Sequence, residues 1–116
     1  MIGIDLIKTS RMSSMIERFG DKALQRFLNT NEISLVKNYK TAAGFWAVKE
    51  ATSKALGVGI GSECSFKDIA ISKTEKGAPQ IILSEKLVKH FHIMDISVSI
   101  THDGEYAIAV VAIEVK

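Results

Sequence analysis

Apolar residues along this chain switch between two spacings, and the switches mark its elements. Ile2, Ile4 and Leu6 alternate with Gly3 and Asp5, the period of a strand over residues 2–7, with Ile7 closing it. Asp5 then lies on the face opposite three aliphatic side chains. From 10 to 28 the spacing lengthens: Met12, Met15, Ile16, Phe19, Leu24, Phe27 and Leu28 recur at helical intervals. Gly20-Asp21 interrupts them, so two helices are expected, the second capped by Asp21. A short helix over 32–37 follows. The stretch 41–56, rich in Ala, Lys and Glu and free of proline, reads as one long helix. Gly44 within it costs roughly 1 kcal/mol relative to alanine, which points to a close approach by a neighbouring element.

The second half returns to alternation. Residues 66–72 and 80–83 flank a turn at Lys76-Gly77-Ala78-Pro79, a hairpin-like unit. Ser84 can cap a helix over 85–91 that turns Leu87, Val88 and Phe91 inward. Runs over 96–101 and 105–115 flank His102-Asp103-Gly104, whose Asp-Gly pair suits a tight antiparallel turn. Both faces of the last run are apolar, which predicts a central strand buried on both sides. The expected fold class is α+β, an antiparallel sheet packed on a long central helix, in one domain over residues 1–116.

Composition narrows the setting. At 116 residues and 47% hydrophobic, the chain can build a core without disulfides. Cys64 is the only cysteine, so a reducing compartment and a buried, inert thiol are expected. The opening Met-Ile-Gly-Ile-Asp5 lacks the basic and then unbroken apolar pattern of a secretion signal. The longest apolar run, 106–113, falls far short of the ~20 residues of a membrane-spanning helix. A cytoplasmic protein with no membrane partner is the expectation.

The net charge of +2 is unevenly spread. Lys8, Arg11, Arg18, Lys22, Arg26, Lys37 and Lys40 outnumber Asp5, Glu17, Asp21 and Glu32 in the first 40 residues, and the remainder is slightly acidic. Such a bias reads either as a basic face for an acidic partner or as ordinary solvated helix surface. A noncatalytic basic module, binding an acidic protein or nucleic acid, is the alternative this bias supports. Few aromatics interleave with the basic residues, which lowers the nucleic-acid version.

Candidate chemistry concentrates at Trp46 to Gly61. Trp46, Glu50 and Lys54 share one helical stripe, and the helix runs into Gly57, Gly59 and Gly61. Glu50 and Lys54 at i and i+4 form either a surface ion pair or part of a partly desolvated site. The glycines resemble a phosphate loop in composition, but they end a helix where a P-loop opens one, so Gly57 can equally be a left-handed C-cap. His102, at a strand end, can reach a cleft to meet a phosphate or take a proton. No Cys/His spacing supports zinc.

Taken in order, these pieces resemble the holo-acyl-carrier-protein synthase family, the small 4'-phosphopantetheinyl transferases. The resemblance rests on Gly3-Ile4-Asp5, Arg11, Arg26-Phe27, the block from Ala43 to Ala51, Lys54-Ala55-Leu56-Gly57-Val58-Gly59, Lys76-Gly77-Ala78-Pro79 and Val98-Ser99-Ile100-Thr101-His102. It implies a 4'-phosphopantetheinyl transferase-like fold. The implied reaction is Mg²⁺-dependent transfer of phosphopantetheine from coenzyme A to a serine of apo-acyl carrier protein, for fatty acid biosynthesis, releasing adenosine 3',5'-bisphosphate.

By position, the resemblance implies Asp5 and Glu50 as magnesium ligands and Glu50 and Lys54 as catalytic residues. It places Lys54, Gly57, Gly59 and His102 at coenzyme A, and implies a homotrimer in which Gly77 and Pro79 reach coenzyme A from the adjoining subunit. Arg11, Arg18 and Arg26 fall where relatives present basic residues to the carrier protein. Phe45 departs from the pattern, standing where many relatives have an arginine for a coenzyme A phosphate. Lys40, Lys49 or a cation of a neighbouring chain is the expected substitute.

Overall fold

The computed structural model describes residues 1–116. In chain order it comprises β1 (Ile2–Lys8), α1 (Thr9–Phe19), α2 (Asp21–Gln25), α3 (Thr30–Ser34), α4 (Tyr39–Ala55), β2 (Ile69–Lys73), β3 (Pro79–Leu83), α5 (Glu85–Phe91), β4 (Ile93–Asp103) and β5 (Tyr106–Val115). Strands β1, β5 and β4 form an antiparallel sheet with β5 in the middle, and β2 and β3 form a separate antiparallel hairpin. The three-stranded sheet lays one face on α4, which is the architecture read from the sequence.

Several boundaries move for local reasons. α3 begins before residue 32 because Asn29 caps it: its side chain accepts from the Glu32 N–H at 2.8 Å while Glu32 accepts from the Asn29 N–H at 2.7 Å. Asp21 does not cap α2; Gly20, at φ 62°, turns the chain there, and Asp21 is the first helical residue. Residues 66–68 form a 3-10 turn ahead of β2, stabilised by Ser65 and Asp68, so the strand starts later than alternation predicts. Ser84 caps α5 as expected. The β4–β5 turn is centred on Gly104-Glu105, because Asp103 still pairs with Tyr106.

One expectation about burial fails. β5 is central, but only Ala107, Ala109, Val111 and Ile113 are buried; its other face is open. On that open face Ile4 pairs with Val110, Ile2 with Ala112 and Leu6 with Ile108, leaving Ile2 74% and Ile4 60% exposed. The strand face carrying Gly3, Asp5 and Ile7 is the one that packs inward on α4. The aliphatic alternation in β1 therefore marks the outside of this chain.

Gly3 makes that packing possible. A β-carbon at this position would lie 1.9 Å from the Ala51 carbonyl oxygen and 2.5 Å from the Ala55 nitrogen. Gly44 plays the same part at the other end of α4, where a β-carbon would sit 3.3 Å from Ile100 and 3.4 Å from the His102 ring. Its cost in helix propensity is thus offset by the approach of β4, as the sequence suggested.

Candidate functional site

From Thr41 to Ala55, every α4 residue is buried except Thr41, Trp46, Glu50 and Lys54. The last three recur at four-residue intervals and form one open stripe on an otherwise enclosed helix. Trp46 packs against Phe27 and Phe66, with ring centroids 5.1 and 5.2 Å away. Glu50 is half-buried and Lys54 is exposed.

The close passage of β1 over α4 brings Asp5 to this stripe. The Lys54 ammonium donates to Asp5 Oδ1 at 2.8 Å and, more weakly, to the Ile4 carbonyl at 3.4 Å. The intrahelical Glu50–Lys54 pair anticipated from spacing does not form. Asp5 offers Lys54 a carboxylate beside a second acceptor on the same strand, and that wins over a partner one turn away. Burial, followed by the charge of Asp5, raises the Glu50 carboxyl above its ordinary pKa, and Lys54 partly opposes this.

Two carboxylates thus lie near one ammonium that pairs with only one of them, and the surplus is negative charge. The donors are all oxygen, and no third His, Cys, Asp or Glu joins them. That set fits Mg²⁺, a hard ion commonly held by one or two carboxylates, with waters and substrate phosphates completing its shell.

His102 approaches α4 near its start. Its Nε2 lies 2.9 Å from the Lys40 carbonyl oxygen, which can only accept, so Nε2 carries the proton. From Gly44, beside the His102 ring, to Lys54 the helix rises about 15 Å, and no hydrogen bond joins His102 to Asp5, Glu50 or Lys54, so His102 stands apart from the stripe. At the far end, Gly57 (φ 79°) and Gly59 (φ 68°) adopt left-handed backbone. Their N–H groups bond the Lys54 and Ser53 carbonyls at 3.0 and 3.2 Å, so they cap the helix and are not free phosphate donors as placed. Open space next to both leaves room for close approach.

Other expected residues lie apart from Asp5, Glu50 and Lys54. Gly77 sits at the tip of the β2–β3 hairpin and Pro79 begins β3; no hydrogen bond or ion pair joins the tip to Asp5, Glu50, Lys54 or His102. Arg11 and Arg18 are exposed two turns apart on α1, Arg18 over the Phe19 ring, and Arg26 is exposed just after α2. Cys64 is fully buried, and burial pushes its thiol up to about 11, as expected of an inert cysteine.

Phe45 is in the core, 2% exposed. Of its suggested substitutes, Lys49 is ruled out: its ammonium is buried and donates to Glu32 Oε1 at 2.9 Å and to the Phe66 carbonyl at 3.2 Å. Lys40, exposed at the start of α4, remains free of any ion pair. The Glu32–Lys49 pair was missed from sequence. The sequence signals are the Asn29-x-x-Glu32 spacing of a capping box and a lysine next to Glu50 on α4, but neither tells that the two meet.

Comparison with known proteins adds family-level findings. Residues 1–111 match the family model described as the 4'-phosphopantetheinyl transferase superfamily. The chain is similar to the holo-[acyl-carrier-protein] synthase of Sulfurimonas denitrificans, at 68% identity over 98% of this chain and 94% of that protein. It is 58% identical to the synthase of Nautilia profundicola over 96% of each chain. Among solved structures, the Helicobacter pylori holo-[acyl-carrier-protein] synthase in complex with coenzyme A superposes with a TM-score of 0.95 at 50% identity, covering 98% of this chain and 100% of that one. The Bacillus anthracis synthase gives a TM-score of 0.83 at 36% identity, covering 99% and 96%.

Proposed function

The chain belongs to the 4'-phosphopantetheinyl transferase superfamily, and from that membership and the site we infer that it is a holo-acyl-carrier-protein synthase. It transfers 4'-phosphopantetheine from coenzyme A to a serine of apo-acyl carrier protein, releasing adenosine 3',5'-bisphosphate. The observation that carries this reading is the meeting of Asp5 from β1 with Glu50 and Lys54 on the one open stripe of α4. The relatives' names and a relative's complex with coenzyme A support the enzyme over a noncatalytic basic module.

Asp5 and Glu50 are the residues that would hold Mg²⁺, which when bound would supply charge neutralisation for the pyrophosphate and the leaving group. Lys54 supplies an exposed ammonium beside Asp5 for a phosphate oxygen. His102, held at Nε2 by the Lys40 carbonyl, keeps Nδ1 for the ligand, and Lys40 is this chain's own candidate for the charge that Phe45 does not supply. Gly57 and Gly59 let a ligand come close to the backbone after α4.

Arg11, Arg18 and Arg26 present positive charge to the acidic carrier protein. Self-association is supported by the open apolar face of β1 and β5, which a single chain leaves in water, and the family resemblance makes the assembly a homotrimer. In that assembly Gly77 and Pro79 serve the coenzyme A site of the adjoining subunit. No helix is long and apolar enough to cross a membrane, and a lone thiol suits a reducing cytoplasm. Incubation with coenzyme A, Mg²⁺ and apo-acyl carrier protein should add a phosphopantetheinyl mass to the carrier. No added mass on any apo-carrier would contradict the assignment.

A further inference from the structure

Lys49 and Glu50 are neighbours on α4, yet one is sealed in the core and the other lines the site. The Glu32 carboxylate that holds Lys49 ties three elements at once. Its Oε1 accepts from the Asn29 N–H at 2.7 Å and from Lys49 at 2.9 Å, and its Oε2 accepts from the Ile71 N–H at 2.7 Å. Lys49 also reaches the Phe66 carbonyl, so α3, α4, the 3-10 turn and β2 meet at one buried ion pair with side chains 1% and 2% exposed. Away from this anchor, β1 presses on α4 through Gly3 at Ala51 and Ala55. Glu50 lies in sequence between these two contacts.

Two contacts to different elements fix a helix against both rotation and sliding. Successive helical residues point about 100° apart, so a small turn of α4 about its axis would carry the Glu50 carboxylate away from Asp5. An apolar pair of similar volume would avoid the cost of desolvating two charges, but would leave the Asn29 and Ile71 N–H groups and the Phe66 carbonyl without these partners. What an apolar pair lacks is direction: the ammonium must meet Glu32 Oε1 and the Phe66 carbonyl together.

We propose that the buried Glu32–Lys49 pair positions the site: it sets the rotational phase of α4 and so aims Glu50 at Asp5. Both are positioning residues, with side chains sealed from solvent. The inference rests on Glu50 and Asp5 being the metal ligands, so the test separates the two ideas. Mn²⁺ replaces Mg²⁺ as the probe, and its binding in the presence of coenzyme A is followed by electron paramagnetic resonance for four proteins: wild type, Glu50→Gln, the double variant Glu32→Met/Lys49→Met, and Glu32→Gln.

Glu50→Gln is expected to weaken Mn²⁺ binding; unchanged binding would overturn the metal reading and this inference with it. With that control as expected, the folded double variant should bind Mn²⁺ at least about tenfold more weakly than wild type, the scale of lost outer support at metal sites. Its kcat should fall in step with the lost Mn²⁺ affinity, and by more than any change in KM for acyl carrier protein, whose proposed contacts Arg11 and Arg18 lie on α1. If the double variant does not fold, Glu32→Gln carries the test, because it keeps the volume and an acceptor but loses the charge. Wild-type Mn²⁺ affinity and kcat in the folded variant, with only a shifted melting temperature, would mean the pair merely supports the fold and would overturn the proposal.

Discussion

Helix α4 carries two lysine–carboxylate pairs that differ in almost everything except chemistry. Lys49 meets Glu32 at 2.9 Å with both side chains sealed from water, and both Glu32 oxygens accept hydrogen bonds from within the fold. Lys54 meets Asp5 at 2.8 Å with half its side chain exposed, next to a second carboxylate that has no counter-ion of its own. The distances cannot tell these pairs apart; their surroundings do. A pair whose partners are all satisfied and buried holds the structure in place. A pair at the surface with surplus negative charge can exchange its cation for another one, and that exchange is what a phosphate-transfer site requires.

Breaking the buried pair from one side should have the largest effect on stability. Lys49→Met leaves the Glu32 carboxylate buried without its cation and is expected to cost about 3–5 kcal/mol. Chemical denaturation would read this directly, and a loss below 1 kcal/mol would place the Glu32 charge in contact with water. Gly3→Ala comes next, at about 1–3 kcal/mol, because the new methyl meets α4 backbone that has no side chain to move aside. That substitution also moves β1, so transfer activity should fall with the melting temperature.

A third pair sharpens the contrast, because it is as open as Lys54–Asp5 but its carboxylate carries more hydrogen bonds. Lys86 meets Asp68 at 3.1 Å, with the lysine exposed and the aspartate largely covered. Burial by itself would raise the Asp68 carboxyl. The Ser65 N–H, the Ser84 hydroxyl, Lys86 and the Ser65 hydroxyl outweigh it and hold the group at about 2. A depressed carboxyl stabilises the fold above its unfolded pKa and loses that contribution as pH falls through the folded value. The wild-type melting temperature should therefore drop more steeply than that of Asp68→Asn between about pH 4 and pH 2. Parallel curves would remove Asp68 from the acid response. Smallest is the stability change for Lys54→Met, under about 1 kcal/mol for an exposed pair. A larger loss on denaturation would make the open pair structural as well.

The sequence disclosed the helix, the hairpin, the antiparallel turn and the stripe, because each rests on local periodicity or a cap. Ser84 could be read as a cap and Gly44 as a close approach without any tertiary information. The partner of Lys54 could not, since spacing proposes Glu50 while the actual partner is 49 residues away, brought near by a glycine contact. Burial of Lys49 was hidden for the same reason: its counter-ion is 17 residues away. The openness of one face of β5 was hidden because an open apolar strand face and a core face have the same composition.

The separation of a holding pair from a working site is tested most directly at Glu50, whose carboxylate makes no hydrogen bond or ion pair in the fold and is our proposed metal ligand. Transfer of phosphopantetheine to apo-acyl carrier protein by Glu50→Gln, followed by mass spectrometry alongside a melting curve, should show kcat reduced on the order of 10²–10³-fold at a wild-type melting temperature. Transfer at the wild-type rate by a fully folded Glu50→Gln would contradict the assignment of the open stripe as the active site.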